Sequence, residues 1–105
     1  MSRPTLGIIG GGQLGSLLAD AAKKLQIKTV ILSDDVNAPA KKFADQFIYG
    51  NYEDDNSINK FINLVDLVTY EFENIPYEIL KKIDEHKTVL PKPGINKLIQ
   101  NRYTE

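Results

Sequence analysis

The chain contains no cysteine, which excludes a disulfide framework, a thiolate metal site and a cysteine nucleophile together. Its single histidine, His86, stands between Glu85 and Lys87 and has no second histidine or thiol with which to share a transition metal. It reads as a solvated residue near a helix end. An excess of one charge sign is also missing: 13 Lys and Arg oppose 14 Asp and Glu, net −1, with both signs interspersed. That balance offers no basic stripe for a nucleic acid or an anionic membrane, and the pairs Lys23-Lys24, Lys41-Lys42 and Lys81-Lys82 read as wet faces of helices. Long apolar runs are absent too. The stretch before Gly10 is only about four residues, too short for a signal-peptide core or a membrane span. No G-x-x-x-x-G-K-[ST] phosphate loop, internal repeat, low-complexity tract or flexible linker occurs in the sequence. No catalytic residue and no metal ligand is assigned, and the lack of cysteine fits a reducing cytoplasm.

What is present is enough for one folded domain spanning residues 1–105. At this length and with 42% hydrophobic residues, the chain buries a real core but not two. Thr5 to Ile9 reads as a buried strand. After Gly10-Gly11-Gly12, the apolar residues Leu14, Leu17, Leu18, Ala21, Ala22 and Leu25 recur at helical spacing. Lys28 to Leu32 reads as a second strand closing a βαβ unit, because parallel strands need such a crossover. A short helix over Pro39 to Asp45 and a strand over Gln46 to Tyr49 follow. Asp54 to Leu64 predicts a helix burying Ile58, Phe61, Ile62 and Val65, with Asp54 or Asp55 in its N-terminal turn. Leu67 to Tyr70 is a fourth strand. Pro76 suits the first turn of a helix through Ile83, Thr88 to Leu90 forms a fifth strand, and Ile95 to Tyr103 a last helix. This alternation predicts an α/β fold, an open parallel sheet with helices on both faces, Rossmann-like. The polar end, Gln100 to Glu105, lacks the glycine or proline that often closes a helix, which suggests truncation.

Gly10, Gly12 and Gly15 satisfy G-x-G-x-x-G between a strand and a helix. In that setting the first glycine permits the turn, the second lets a ligand approach the backbone, and the third lets helix and strand pack closely. Asp34 lies 19 residues beyond Gly15, near where a dinucleotide site places its ribose-binding acid; alone, this says NAD. Gln13 argues for a different ligand, since a long polar side chain sits inside the loop. So does Val68-Thr-Tyr-Glu-Phe-Glu-Asn-Ile-Pro76, which brings Glu71 and Glu73 to the strand end where open α/β sheets bind ligands. Alternation puts both acids on one side; either faces the crevice or caps the helix that follows. Tyr49, Tyr52 and Tyr70 read as core boundary rather than pocket.

Three blocks in order, Gly7-Ile-Ile-Gly-Gly-Gly-Gln-Leu-Gly15, Val68 to Pro76, and Gln100-Asn-Arg-Tyr-Thr-Glu105, resemble successive signatures of the N5-carboxyaminoimidazole ribonucleotide synthetases of the ATP-grasp superfamily. The resemblance implies the N-terminal pre-ATP-grasp domain of a purine-biosynthesis ligase. Such a ligase carboxylates 5-aminoimidazole ribonucleotide with ATP and bicarbonate, giving N5-carboxyaminoimidazole ribonucleotide, ADP and phosphate. It implies a cytoplasmic homodimer as the full protein, with ATP and Mg bound by domains outside these 105 residues, and an isolated chain that is inactive. It places the ribonucleotide against Gln13 and the backbone of Leu14, with Glu73, and second Glu71, as acceptors. Gly10, Gly12 and Gly15 shape the loop, and Arg102 packs or stays solvated. Two positions depart from the pattern: Ser16 stands where a basic residue is common, and Ser33-Asp34-Asp35 where an Asp-Pro pair is common. The alternative is a small NAD-binding module or a non-catalytic interaction domain.

Overall fold

A computed structural model describes residues 4–70 and 75–90. The strands are β1 (Leu6–Ile9), β2 (Thr29–Ser33), β3 (Gln46–Tyr49), β4 (Leu67–Tyr70) and β5 (Thr88–Val89). The helices are α1 (Gln13–Lys24), α2 (Asp55–Leu64) and α3 (Tyr77–Asp84), and a 3-10 helix covers Pro39–Phe43. The sheet runs β3-β2-β1-β4-β5 with every pairing parallel. The α/β expectation therefore holds. β1 sits at the reversal of strand order, with Ile9 opposite Leu32 on one side and Tyr70 on the other.

The two faces carry unequal layers. α2 and α3 cover one with a core of Ile9, Val30, Leu32, Ile58, Phe61, Val68, Tyr70, Leu80, Ile83 and Val89. All four residues expected to face inward from α2 are buried; fully burying a residue such as Phe61 stabilises by about 1.5–3 kcal/mol. Among the described residues the other face is thinner, built on Ile8, Ala19, Ile31 and Ala40 with Leu6, Leu18, Phe43 and Phe47 half-buried around them. Lys41 and Lys42 stand over the Phe47 and Phe43 rings, 5.5 and 5.2 Å from their centroids, so their stems shield this edge as well as wetting it.

Carboxylates secure the strands at their N-terminal ends. Asp66 accepts from the Thr5 amide at 2.7 Å, Asp45 from Thr29 at 2.8 Å and Asp84 from Val89 at 3.1 Å. Each satisfies a backbone donor at a strand start that the ladder leaves over. Asp54 is the N-cap of α2, accepting from Asn56 N–H at 3.2 Å and from the Ser57 hydroxyl at 2.8 Å. Asp55 pairs with Lys82 across to α3, an exposed contact of small energetic weight.

Several local expectations are corrected. The inward stripe of α1 is Gly15, Ala19 and Ala22, whereas Leu14, Leu17 and Leu25 are 38, 63 and 61% exposed. Small residues win the inner face because the helix axis can then approach the sheet closely. The segment from Pro39 is a 3-10 helix ending at Phe43, Pro76 is the N-cap of α3 rather than part of its first turn, and β5 stops at Val89. Tyr52 and Tyr70 are buried outright while Tyr49 is exposed. The last helix expected, Ile95 to Tyr103, lies outside the described residues.

α1 ends in paired reverse hydrogen bonds, Gln26 N–H to Lys23 O at 3.0 Å and Ile27 N–H to Ala22 O at 2.8 Å. This is the Schellman arrangement, and it needs a left-handed residue at Gln26, whose φ is 60°. A side chain there costs on the order of 1 kcal/mol. Gln26→Gly is expected to raise the melting temperature by about 4–8 °C, the shift that ~1 kcal/mol produces in a domain of this size. An unchanged or lower midpoint in thermal denaturation would show that the left-handed turn is not strained.

Candidate functional site

The reversal of strand order opens a crevice beyond the C-terminal end of β1, the usual ligand position in open α/β sheets. A cavity of about 180 Å³ occupies it, lined by Gly10, Gly11, Gly12, Ser33, Asp34, Asp35, Ala38, Pro39, Tyr52 and Ile75. Gly10 has φ 103°, a backbone state that a side chain resists, and its N–H reaches Leu32 O at 2.8 Å. The turn out of β1 is thus tied to the end of β2.

The wall after β2 is a built turn. Ser33 is buried and its hydroxyl accepts from Asp35 N–H at 3.1 Å; its carbonyl accepts from Gly50 N–H at 3.0 Å. Asp35 in turn accepts from Asn37 N–H through Oδ1 at 2.9 Å and from Ala38 N–H through its carbonyl at 3.1 Å. Asp35 is therefore engaged in holding the loop. Asp34 is exposed and makes no hydrogen bond among the described residues, so its carboxylate is the acceptor this wall presents. The turn delivers Ala38 against Gly11: a Cβ on Gly11 would lie 2.5 Å from that of Ala38, and Ala40 N–H reaches Gly11 O at 2.9 Å.

The opposite wall begins at the N-terminus of α1. Gly12 is its N-cap and supplies no side-chain acceptor, so first-turn amides are left for a ligand. They favour an anion. Gln13 and Leu14 begin this helix and are exposed. Gln13 does not line the glycine cavity: it borders a shallow apolar groove with Ser16, Leu17, Asp20, Pro39 and Phe43. Ser16, in the place of a basic residue, turns its hydroxyl back onto Gly12 O at 3.0 Å. Gly15 is buried against the sheet, where close packing needs it. Glu71, Glu73 and Arg102 lie outside the described residues. Gly11, Ala38 and Pro39 are lining residues that the sequence does not single out, Ser33 stands out only as a departure from the family pattern, and Tyr52 reads there as core boundary. No motif marks them, because they meet only through the β2–β3 crossover.

The geometry does not favour a dinucleotide. Asp34 does stand by the glycine turn, as an NAD site requires, but Ala38 and Pro39 close over Gly11. Among the described residues no group of three His, Cys, Asp or Glu converges to hold a metal ion, and no helix is long and apolar enough to cross a membrane.

Residues 3–100 match the sequence model of the ribonucleotide synthetase pre-ATP-grasp domain. The chain belongs to that family. It is 42% identical over 101 residues to an N5-carboxyaminoimidazole ribonucleotide synthase of Staphylococcus epidermidis, an alignment covering 96% of this chain and 27% of that protein. Among solved structures, the N5-carboxyaminoimidazole synthetase of Staphylococcus aureus complexed with ADP superposes with a TM-score of 0.86 at 38% identity, over 96% of this chain and 28% of that one. The Aspergillus clavatus synthase in complex with ADP and 5-aminoimidazole ribonucleotide superposes with a TM-score of 0.82 at 27% identity, over 96% and 27%. The resemblance carried by the three sequence blocks is thereby confirmed. This member of the pre-ATP-grasp family spans little more than a quarter of the relatives' length.

Tyr70, at the end of β4 beside the crevice, is 1% exposed. Burial pushes its phenol above its ordinary pKa. As pH rises past about 10, the unfolded chain releases this proton before the folded one does, so the folded state holds more protons and loses stability with rising pH; below that range the contribution is constant. Urea melts between about pH 8 and 11 are expected to show the parent falling relative to Tyr70→Phe. Parallel curves would locate the alkaline loss in other groups.

Proposed function

We propose that this chain is the N-terminal, ribonucleotide-binding part of a ligase that carboxylates 5-aminoimidazole ribonucleotide. In that reaction ATP and bicarbonate form carboxyphosphate and ADP. The carboxyl group then passes to the exocyclic amine, releasing phosphate and giving N5-carboxyaminoimidazole ribonucleotide. The observation that carries the reading is the family match over residues 3–100, joined to a glycine crevice beside a helix N-terminus with no side-chain cap.

The amides of Gln13 and Leu14 suit the anionic end of the ribonucleotide, and the Gln13 side chain supplies a further polar contact. Glu73, and as second choice Glu71, is the proposed acceptor for hydroxyl or amine donors of the ligand. Gly10, Gly12 and Gly15 keep the loop close to its ligand. The described residues offer neither a phosphate loop nor a carboxylate cluster fitted to Mg, so no chemical step is assigned to ATP or Mg on this chain. Those groups belong to ATP-grasp domains beyond it, and the full protein is expected to be a cytoplasmic homodimer without nucleic-acid or membrane partners.

Calorimetry with 5-aminoimidazole ribonucleotide and, separately, NAD tests this. The chain is expected to bind the ribonucleotide and not millimolar NAD, with Gln13→Ala about tenfold weaker, the scale of one hydrogen bond to a charged group. Bicarbonate-dependent ATP hydrolysis is expected to be absent. NAD binding that falls on Asp34→Ala, with no ribonucleotide binding, would replace this reading with the dinucleotide one.

A further inference from the structure

Gly10, Gly11 and Gly12 leave the turn after β1 without side chains of its own to hold it. Glycine loses more backbone freedom on ordering than any other residue, so what fixes this turn comes from elsewhere in the chain. β2 supplies one tie, Leu32 O accepting from Gly10 N–H. The β2–β3 crossover supplies the next. Gly11 O accepts from Ala40 N–H at 2.9 Å, and a Cβ on Gly11 would stand 2.5 Å from that of Ala38 and 3.2 Å from Ser33 Oγ. Ala38 and Ala40 are both buried, so the surface against which Gly11 rests is itself packed. Gly12, the next residue, is the N-cap of α1; a shift of Gly11 therefore carries the first amides of that helix with it.

The crossover returns to Gly11 because of the turn at its start. Ser33 Oγ accepts from Asp35 N–H at 3.1 Å, Asp35 Oδ1 from Asn37 N–H at 2.9 Å, and Asp35 O from Ala38 N–H at 3.1 Å. Asp35, Val36 and Asn37 are exposed, so burial does not shape this stretch and its hydrogen bonds do. A bond from an amide to a carboxylate is among the stronger ones. We propose that Asp35 is a positioning residue for the candidate site. Acting through Ala38 and Ala40, it fixes Gly11 and so sets where the Gln13 and Leu14 amides meet the anionic end of the ligand. A loop ordered before the ligand arrives spares binding the cost of ordering it. This role differs from that of Asp34, whose carboxylate makes no hydrogen bond among the described residues. The effect on affinity rests on the ribonucleotide reading; the hold on Gly11 does not.

Two variants of the full 105-residue chain separate the hydrogen bond from the charge. Asp35→Ala removes the acceptor, whereas Asp35→Asn keeps a side-chain oxygen in its place and removes the charge. Amide hydrogen exchange, followed residue by residue by NMR, reads the hold on the loop, and titration with 5-aminoimidazole ribonucleotide reads its consequence. Asp35→Ala is expected to speed exchange at Ala38 and Ala40 about tenfold, to leave Phe61 and Ile62 of α2 unchanged, and to weaken ribonucleotide binding by about tenfold. Asp35→Asn is expected to stay within about threefold of the parent in both measurements. Unchanged exchange at Ala40 in Asp35→Ala, or faster exchange with unaltered affinity, would overturn the proposal. So would an Asp35→Asn variant that behaves like Asp35→Ala, by assigning the effect to charge on the cavity wall. The expected exchange pattern in a chain whose parent binds no ribonucleotide would uphold the hold on Gly11 and overturn the ligand reading instead.

Discussion

Everything at the crevice depends on β1 being paired in parallel on both sides. The ladders to β2 and β4 fix the heights at which three chain segments leave the sheet: the glycine turn after Ile9, the acidic turn after Ser33, and the segment after Tyr70. Because the order reverses at β1, the crossovers on its two sides diverge to opposite faces, and the space between them cannot be closed by a neighbouring helix. The bond from Gly10 to Leu32 continues the β1–β2 ladder past the strand itself. The positive φ at Gly10 then redirects the chain into α1.

The same topology separates two uses of acidic residues. At the N-terminal ends of the strands, Asp45, Asp66 and Asp84 each accept a backbone N–H, so their charge is spent on strand termini. At the C-terminal ends, Asp35 holds its own turn while Asp34 stands in the cavity wall. A sequence with 14 acids and net charge −1 gives no hint of this division, which follows from which end of the sheet each loop occupies. The turn that Asp35 organises also positions Ala38 on Gly11, so the size of the cavity is set by a crossover rather than by the glycine motif.

Much of the architecture was legible. β3 and β4 fall at their expected bounds, and α2 buries Ile58, Phe61, Ile62 and Val65, because β-branched runs and an isolated apolar stripe leave little ambiguity. The inner face of α1 was left open for the opposite reason. With apolar residues on more than one side, periodicity cannot say which side meets the sheet, and close approach selected Gly15, Ala19 and Ala22 over the leucines. Of the site, Gly10, Gly12 and Asp34 were visible as a motif and Ser33 as a departure from the family pattern, while Ala38, Pro39 and Tyr52 were not, since no local pattern brings them together. Gln13 was visible as a residue but not as a position: it borders the outer groove rather than the cavity.

The sequence by itself determined the alternation of strands and helices, the glycine turn and the family, all properties of short segments and their order. Apolar periodicity, turn chemistry and three ordered blocks are enough for those. Only the tertiary structure decided which face of α1 is buried and that the β2–β3 crossover narrows the crevice. Each of these depends on contacts between residues far apart in the chain, where packing distance and register choose among arrangements that local pattern permits equally.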